Sequence, residues 1–316
     1  MNEALSQLAD DFFQNSLNSS PTSAIMRGYK EYFDQIEELT ETRFEQNLED
    51  LDKFEKRLNE IDFNSLSKKE KVTHGMLEYA FASNKDSLHD KSWEFGAGVS
   101  GFTGYLIDYN QQMFIPDLES GDLLLKRLEL YNQFFIQVSL VQKKGLDENK
   151  VATERNILRT IDQIESYLKT SLDEDPLLLV NFSPKVSEKD ISSWKDKAKL
   201  IIESYVRPSV NSYLEQLKIA HLPKGRSDTN PGIMWIEGGE DIYLRSLRKF
   251  TGNKDITVQE VHETGLSEIE RLKKEFFEIG KNVFEDASTP EDVIYKMQTE
   301  PAMRFKSKEQ MLQTAE

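Results

Sequence analysis

The chain has 316 residues, 38% of them hydrophobic and 10% aromatic, which provides for a sizeable core and argues against intrinsic disorder. Fifty-six acidic residues against 40 lysines and arginines leave a net charge of -16, which excludes a nucleic-acid partner and an anionic membrane surface, since both need clustered Lys and Arg. There is no cysteine, so disulfides, thiolate nucleophiles and cysteine-ligated zinc are excluded as well.

The first residues, MNEALSQLADDFF, are acidic where a secretory signal would be basic, and they lack a long apolar stretch. No apolar run approaches the ~18 residues needed to span a membrane. These features describe a soluble protein, placed in the cytoplasm, or in the periplasm or outside the cell if a leader has been removed.

Helical periodicity dominates, and the expected fold class is all-α, built from long amphipathic helices. From Thr40 to Ile61 the apolar positions Phe44, Leu48, Leu51, Phe54, Leu58 and Ile61 recur every three or four residues. Ser67 and Glu70 form a capping box that opens a helix through about Ala82. Trp93 to Phe114 breaks the pattern with Gly96, Gly98, Gly101 and Gly104, predicting a structured loop or short irregular helices and a sub-boundary near 93–120 within one large unit over 1–316. Helical spacing resumes at Leu123 and is expected to end near Gly145.

Lys150 to Leu168 reads as a further amphipathic helix, and Asp175-Pro176 interrupts the pattern. Ser187 to Leu217 reads as a long helix kinked or restarted at Arg207-Pro208, because proline lacks the donor a helix interior needs. The Gly- and Pro-rich segment 221–239 predicts a loop with a short β-hairpin. Glu240 to Phe250 is helical, and Thr257 with Glu260 is a second capping box opening a helix to about Phe284. Thr289-Pro290-Glu291-Asp292 reads as a helix start. Ser307 with Gln310 is a third capping box, followed by residues 311–316 alone. So short a helix is marginal in isolation, and the pattern is expected of the front part of a longer protein.

The run from Gly238 to Phe276, GGEDIYLRSLRKFTGNKDITVQEVHETGLSEIERLKKEF, carries a family pattern. Gly239, Tyr243, Leu247, Arg248, Thr251, Thr257, Glu260, Val261, His262, Gly265, Leu266, Glu268, Ile269 and Arg271 follow the order of the bacterial and archaeal family called domain of unknown function 885. The chain resembles that family further in GLDENKVATERNILRTIDQIESYL with Asp175-Pro176-Leu177, in Tyr205-Val206-Arg207-Pro208, and from Met297 to Leu312. The resemblance implies a mostly helical protein similar to helical zinc peptidases such as the angiotensin-converting-enzyme and thermostable-carboxypeptidase groups. It implies a peptide substrate, and zinc in the full-length protein, bound C-terminal to this region in a part that would be this chain's missing partner.

Within the chain the chemistry-bearing residues are few. His262-Glu263 lacks the second histidine a zinc helix needs four residues on; position 266 is Leu. The neighbours of His262 at helical spacing are mostly apolar, so a core or interdomain histidine is favoured over one lining a cleft. Tyr243 and Arg248, after a Gly-rich turn, complete with His262 the set of candidate cleft or substrate-facing residues; the guanidinium fork of an arginine suits peptide or carboxylate recognition. Glu260, Glu263, Ser267, Glu270 and Lys274 form a solvated face with a Glu270–Lys274 pair. No catalytic residue and no metal ligand is assigned.

Gly96 to Gly101 fits G-x-G-x-x-G, but a polar run precedes it where a dinucleotide site needs a buried strand, so no cofactor is expected. His74, with Glu70 and Glu78 four residues to either side, is a weak cation stripe, and His89 and His221 read as loop residues without partners. The favoured reading is the N-terminal helical part of a zinc-metallopeptidase-like protein, inactive alone. The alternative is a non-catalytic helical binding or interaction protein.

Overall fold

The computed structural model describes residues 2–96 and 112–315. The chain divides into two compact units, Met1–Arg245 and Ser246–Glu316. The division falls inside the helix Gly239–Thr251. Of the stretch 93–120 expected to hold a boundary, residues 97–111 lie outside the described part, and with them most of the Gly96–Gly101 run.

The first unit begins with α1 (Glu3–Ser19), α2 (Pro21–Met26), α3 (Glu41–Asn59) and α4 (Lys68–Asp90). The amphipathic stripe of α3 is buried as its spacing requires: Leu51, Phe54 and Leu58 pack with Leu5 and Leu8 of α1 and Leu77 and Phe81 of α4. Both halves of the Ser67–Glu70 capping box form. Glu70 is held down to about 2 by the Ser67 hydroxyl and by the backbone N–H groups of Ser67 and Asn2. The helix runs on to Asp90 and ends at Lys91 in the left-handed region, φ 47°.

A larger core surrounds α5 (Leu118–Asp147), α6 (Glu154–Lys169), α7 (Glu188–Ile201) and α8 (Arg207–Gln216). At 30 residues α5 is roughly 45 Å long and serves as the central rod. It buries Leu124, Leu128, Tyr131, Phe134 and Phe135 against Ile157, Ile161 and Ile164 of α6 and against Val210 and Tyr213 of α8. Arg127 of α5 is buried at 2% exposure, with both of its terminal nitrogens engaged. It donates to the Gln35 carbonyl and to Thr22 Oγ1, and Thr22 in turn donates to Glu37 through its N–H at 2.9 Å and its hydroxyl at 2.7 Å. Three segments distant in sequence are thereby tied together.

Two expectations are corrected in this unit. The helix expected to end near Gly145 continues to Asp147. Gly145 sits inside it because the Glu94 backbone packs against it so closely that a Cβ would overlap the Glu94 carbonyl. Glu94 itself is buried and accepts from Lys150 at 2.8 Å. Where a kink or restart is expected at Arg207-Pro208, a π-turn at Ile202–Val206 interrupts the α-helix and α8 starts at Arg207 with Pro208 in its first turn, the wider backbone relieving the clash a proline ring makes with the preceding turn. A second π-turn follows at Leu217–His221.

The β-hairpin expected near 221–239 is absent; short 3-10 turns at Leu222–Lys224 and Ile233–Trp235 stand there. Arg226 organises the segment by donating to the carbonyls of Val151, Asn230 and Gly232. The strands among the described residues are β1 (Phe114–Ile115) and β2 (Asn181–Phe182), a parallel pair in register Phe114 with Asn181 and Ile115 with Phe182. The fold class is all-α as expected, and among the described residues no helix is long and apolar enough to cross a membrane.

The second unit takes the end of α9 (Gly239–Thr251), then α10 (Val258–Lys281), α11 (Pro290–Thr299) and α12 (Lys308–Ala315). The Thr257–Glu260 capping box forms, and Thr289 with Asp292 makes another at the start of α11. At Ser307 only half does: Gln310 N–H donates to Ser307 Oγ, while the Gln310 side chain accepts from Lys306 one residue early. Gly280 lets α11 approach α10, since a Cβ there would meet the Val293 side chain at 2.5 Å.

Candidate functional site

Tyr243 lies on α9 in the first unit and is 41% exposed. Two residues on, Arg245 pairs with Asp90 at the end of α4, which makes it a structural tie within the first unit. Arg248 and His262, both in the second unit, are exposed, and no hydrogen bond or ion pair joins them. His262 is not a core histidine. Its helical neighbours Val258, Leu266 and Ile269 are themselves exposed, Leu266 at 54%.

That stripe continues along α10 through Leu272 and Ile279, and Val283, just beyond the helix end, is exposed as well. The spacing is that of an amphipathic helix, and its apolar face has no cover. Among the described residues of the unit, only Gly280, Ala287 and Val293 are buried. The opposite face is charged as expected, with a different partner: Glu270 accepts from Lys273, not Lys274, and Arg271 bridges Glu268 and Glu275.

In the first unit the structure joins two segments the sequence shows only as separate runs. Asp175 is fully buried, and Arg207 donates to its Oδ2 from Nη2 at 2.8 Å and from Nε at 3.2 Å. The other carboxylate oxygen accepts from Leu177 N–H at 3.0 Å, and Arg207 also donates to the Thr170 carbonyl at 2.9 Å. Tyr167 packs under the guanidinium, and burial pushes its hydroxyl far up. All the polar capacity here is spent internally, so this is a clamp and not a reactive centre.

His221, expected in a loop without a partner, is buried at the end of the second π-turn. Its Nδ1 lies 3.3 Å from the Gln216 carbonyl and its Nε2 is buried with no partner among the described residues. Burial pushes its pKa below the usual value, with a smaller push from Lys224. In the pH range between that lowered value and about 6.5 the unfolded chain binds a proton and the folded one does not. Stability is therefore expected to fall as pH drops below about 6.5 and to level off below the folded value. Urea midpoints at pH 7.5 and 5.5 check this: the decrease should be smaller in His221→Leu than in the parent, and equal decreases would refute it.

Open cavities among the described residues of the first unit include three. One of about 450 Å³ runs between α5 and the π-turned rod beside Tyr205 and Pro208. One of about 410 Å³ lies by Phe44 and Trp93, whose rings stack at 3.9 Å. One of about 350 Å³ lies on the α1–α3–α4 side of Trp93. None contains Tyr243, Arg248 or His262.

A structural or catalytic zinc needs at least three side-chain donors converging. Among the described residues no group of three or more His, Asp or Glu is gathered that could hold a metal. Glu70, one end of the His74 stripe, is turned to its capping contacts, and His74 packs edge-on to Phe63. The described residues do not fit a zinc site.

The family described as "Bacterial protein of unknown function (DUF885)" matches residues 21–316. The chain belongs to this family. No curated protein matches it. Among solved structures this DUF885 chain is similar to one titled "putative lipoprotein", from Colwellia psychrerythraea, with a TM-score of 0.79 at 14% identity. The alignment covers 99% of this chain and 57% of the other, so this DUF885 chain spans little more than half the length of that one. At that identity the likeness shows a shared fold.

Proposed function

We propose that this chain is the helical front part of a larger metallopeptidase-like protein, forming the scaffold and one wall of a peptide-binding cleft. The observation that supports the reading is the uncovered apolar face of α10, Val258 to Ile279, in a unit with almost no core of its own. Apolar surface on that scale is normally covered. The longer solved relative is consistent with further polypeptide to cover it. Peptide hydrolysis and zinc enter through the family's resemblance to helical zinc peptidases, and they are assigned to the complete protein. In the complete protein Tyr243, Arg248 and His262 would face the cleft.

The test compares this chain with a version extended along its own reading frame. The purified 316-residue chain, assayed by zinc analysis and on a mixed oligopeptide library, is expected to carry no stoichiometric zinc and to release no fragments. The extended protein is expected to carry stoichiometric zinc and to release fragments. Cleavage by the short chain with contaminants excluded would overturn the reading. A complete reading frame ending at Glu316 would favour the alternative, a non-catalytic binding protein that uses the same apolar face.

A further inference from the structure

The cavity of about 350 Å³ beside Trp93 combines a single cation with neutral polar side chains and aromatic walls. In a chain with 56 acids and 40 bases, its lining contains no Asp or Glu and one cation, Arg27. The remaining polar lining is neutral, dominated by the amides of Asn15, Asn47 and Asn84 and the hydroxyls around Ser20 and Ser23. Phe12 and Trp93 supply the aromatic walls.

Arg27 is placed by the backbone. Gly28 N–H donates to the Ile25 carbonyl at 2.9 Å and Tyr29 N–H to the Ala24 carbonyl at 3.1 Å, closing α2 in a Schellman motif with Gly28 at φ 90°. The guanidinium sits 5.8 Å over the Phe13 ring. Among the described residues it has no carboxylate partner, although acids outnumber bases in this chain. Asp50, which accepts from the lining residue Asn15 at 3.3 Å, is also engaged by Lys53 and Gln46. Asn47 uses only its carbonyl oxygen, 3.4 Å from Ser19 Oγ, leaving its amide hydrogens without a protein partner among the described residues.

We infer that this cavity binds a sugar-sized polyol bearing one negative group, the anion on Arg27 and the hydroxyls on the Asn and Ser side chains. The volume, at the low end of the about 300–1,000 Å³ typical of ligand pockets, suits one or two rings and not an extended peptide. Aromatic walls with neutral amides and hydroxyls match the alternating C–H faces and O–H edges of a sugar. A planar fork with unspent donors matches a carboxylate or phosphate. The site lies in the first unit and stands independently of the peptidase reading.

Ligand-detected NMR and calorimetry on the full chain, with glucuronate, glucose 6-phosphate, glucose and inorganic phosphate as probes, decide it. Glucuronate or glucose 6-phosphate, or both, should bind saturably, and at least about tenfold more tightly than glucose or phosphate alone, the size expected of one charge-assisted contact. The two acidic probes also separate a carboxylate from a phosphate as the preferred anion. Arg27→Gln, an exposed change at the end of α2, should cost the acidic sugars about that factor without moving the thermal midpoint. Asn47→Leu should weaken them while leaving the charge in place. Absence of saturable binding, equal affinity for glucose, equal affinity for phosphate alone, or indifference to Arg27→Gln would each overturn the assignment.

Discussion

Arg207→Ala is expected to lower the unfolding free energy by about 3–5 kcal/mol, because it strands a fully buried carboxylate. Asp175 has two acceptor oxygens and no solvent. Leu177 N–H satisfies one, and Arg207 supplies both donors to the other. Removing the arginine also frees the Thr170 carbonyl at the end of α6 and uncovers the Tyr167 ring. The net worth of the pair is smaller than the cost of breaking it, since taking both charges out of water is itself costly. Asp175→Asn with Arg207→Met, which removes both charges, should therefore be less harmful than Arg207→Ala alone. Urea unfolding of the three variants checks this, provided the slope of the transition is unchanged. A loss below about 1 kcal/mol for Arg207→Ala, the value of an exposed pair, would show that the clamp is not closed in solution.

Trp194→Ala should cost a similar amount, about 3–5 kcal/mol, from the large cavity it leaves at the meeting of α5, α7 and β2. The indole is buried, meets the Phe182 ring edge-on at 5.2 Å, and donates from Nε1 to the Gly121 carbonyl at 2.7 Å. Gly121 makes room for it: a Cβ there would lie 3.2 Å from both rings. Trp194→Phe keeps most of the volume and loses the donor, so its cost should be dominated by one hydrogen bond, about 1 kcal/mol, plus the smaller void. Thermal unfolding separates the two, with the alanine variant much the worse. Equal losses would mean that the hydrogen bond and not the packing holds this corner.

Both sites explain why parts of the molecule could be read from residue order and parts could not. Helices were legible because their signals are local. The stripe of α3, the boxes at Ser67 and Thr257, and the cap at Thr289 depend on residues three or four apart, and they formed as their spacing required. The family pattern from Tyr243 to Arg271 was legible for the same reason, being a run of neighbours.

What depends on residues far apart was not legible. Gly145 looked like a helix end because glycine usually is one; it is instead a notch for Glu94, 51 positions earlier. His221 looked idle and is buried, while His262 looked like a core residue and is exposed. Asp175 and Arg207, Arg127 and Thr22, Arg27 and Asn47 carry no shared signal in the linear order, since each pairing exists only once helices have packed. Local free-energy differences of a few tenths to one kcal/mol per residue set the helices. The location of buried charge and of the cavities follows from packing over long separations, which the chain writes nowhere in a single stretch.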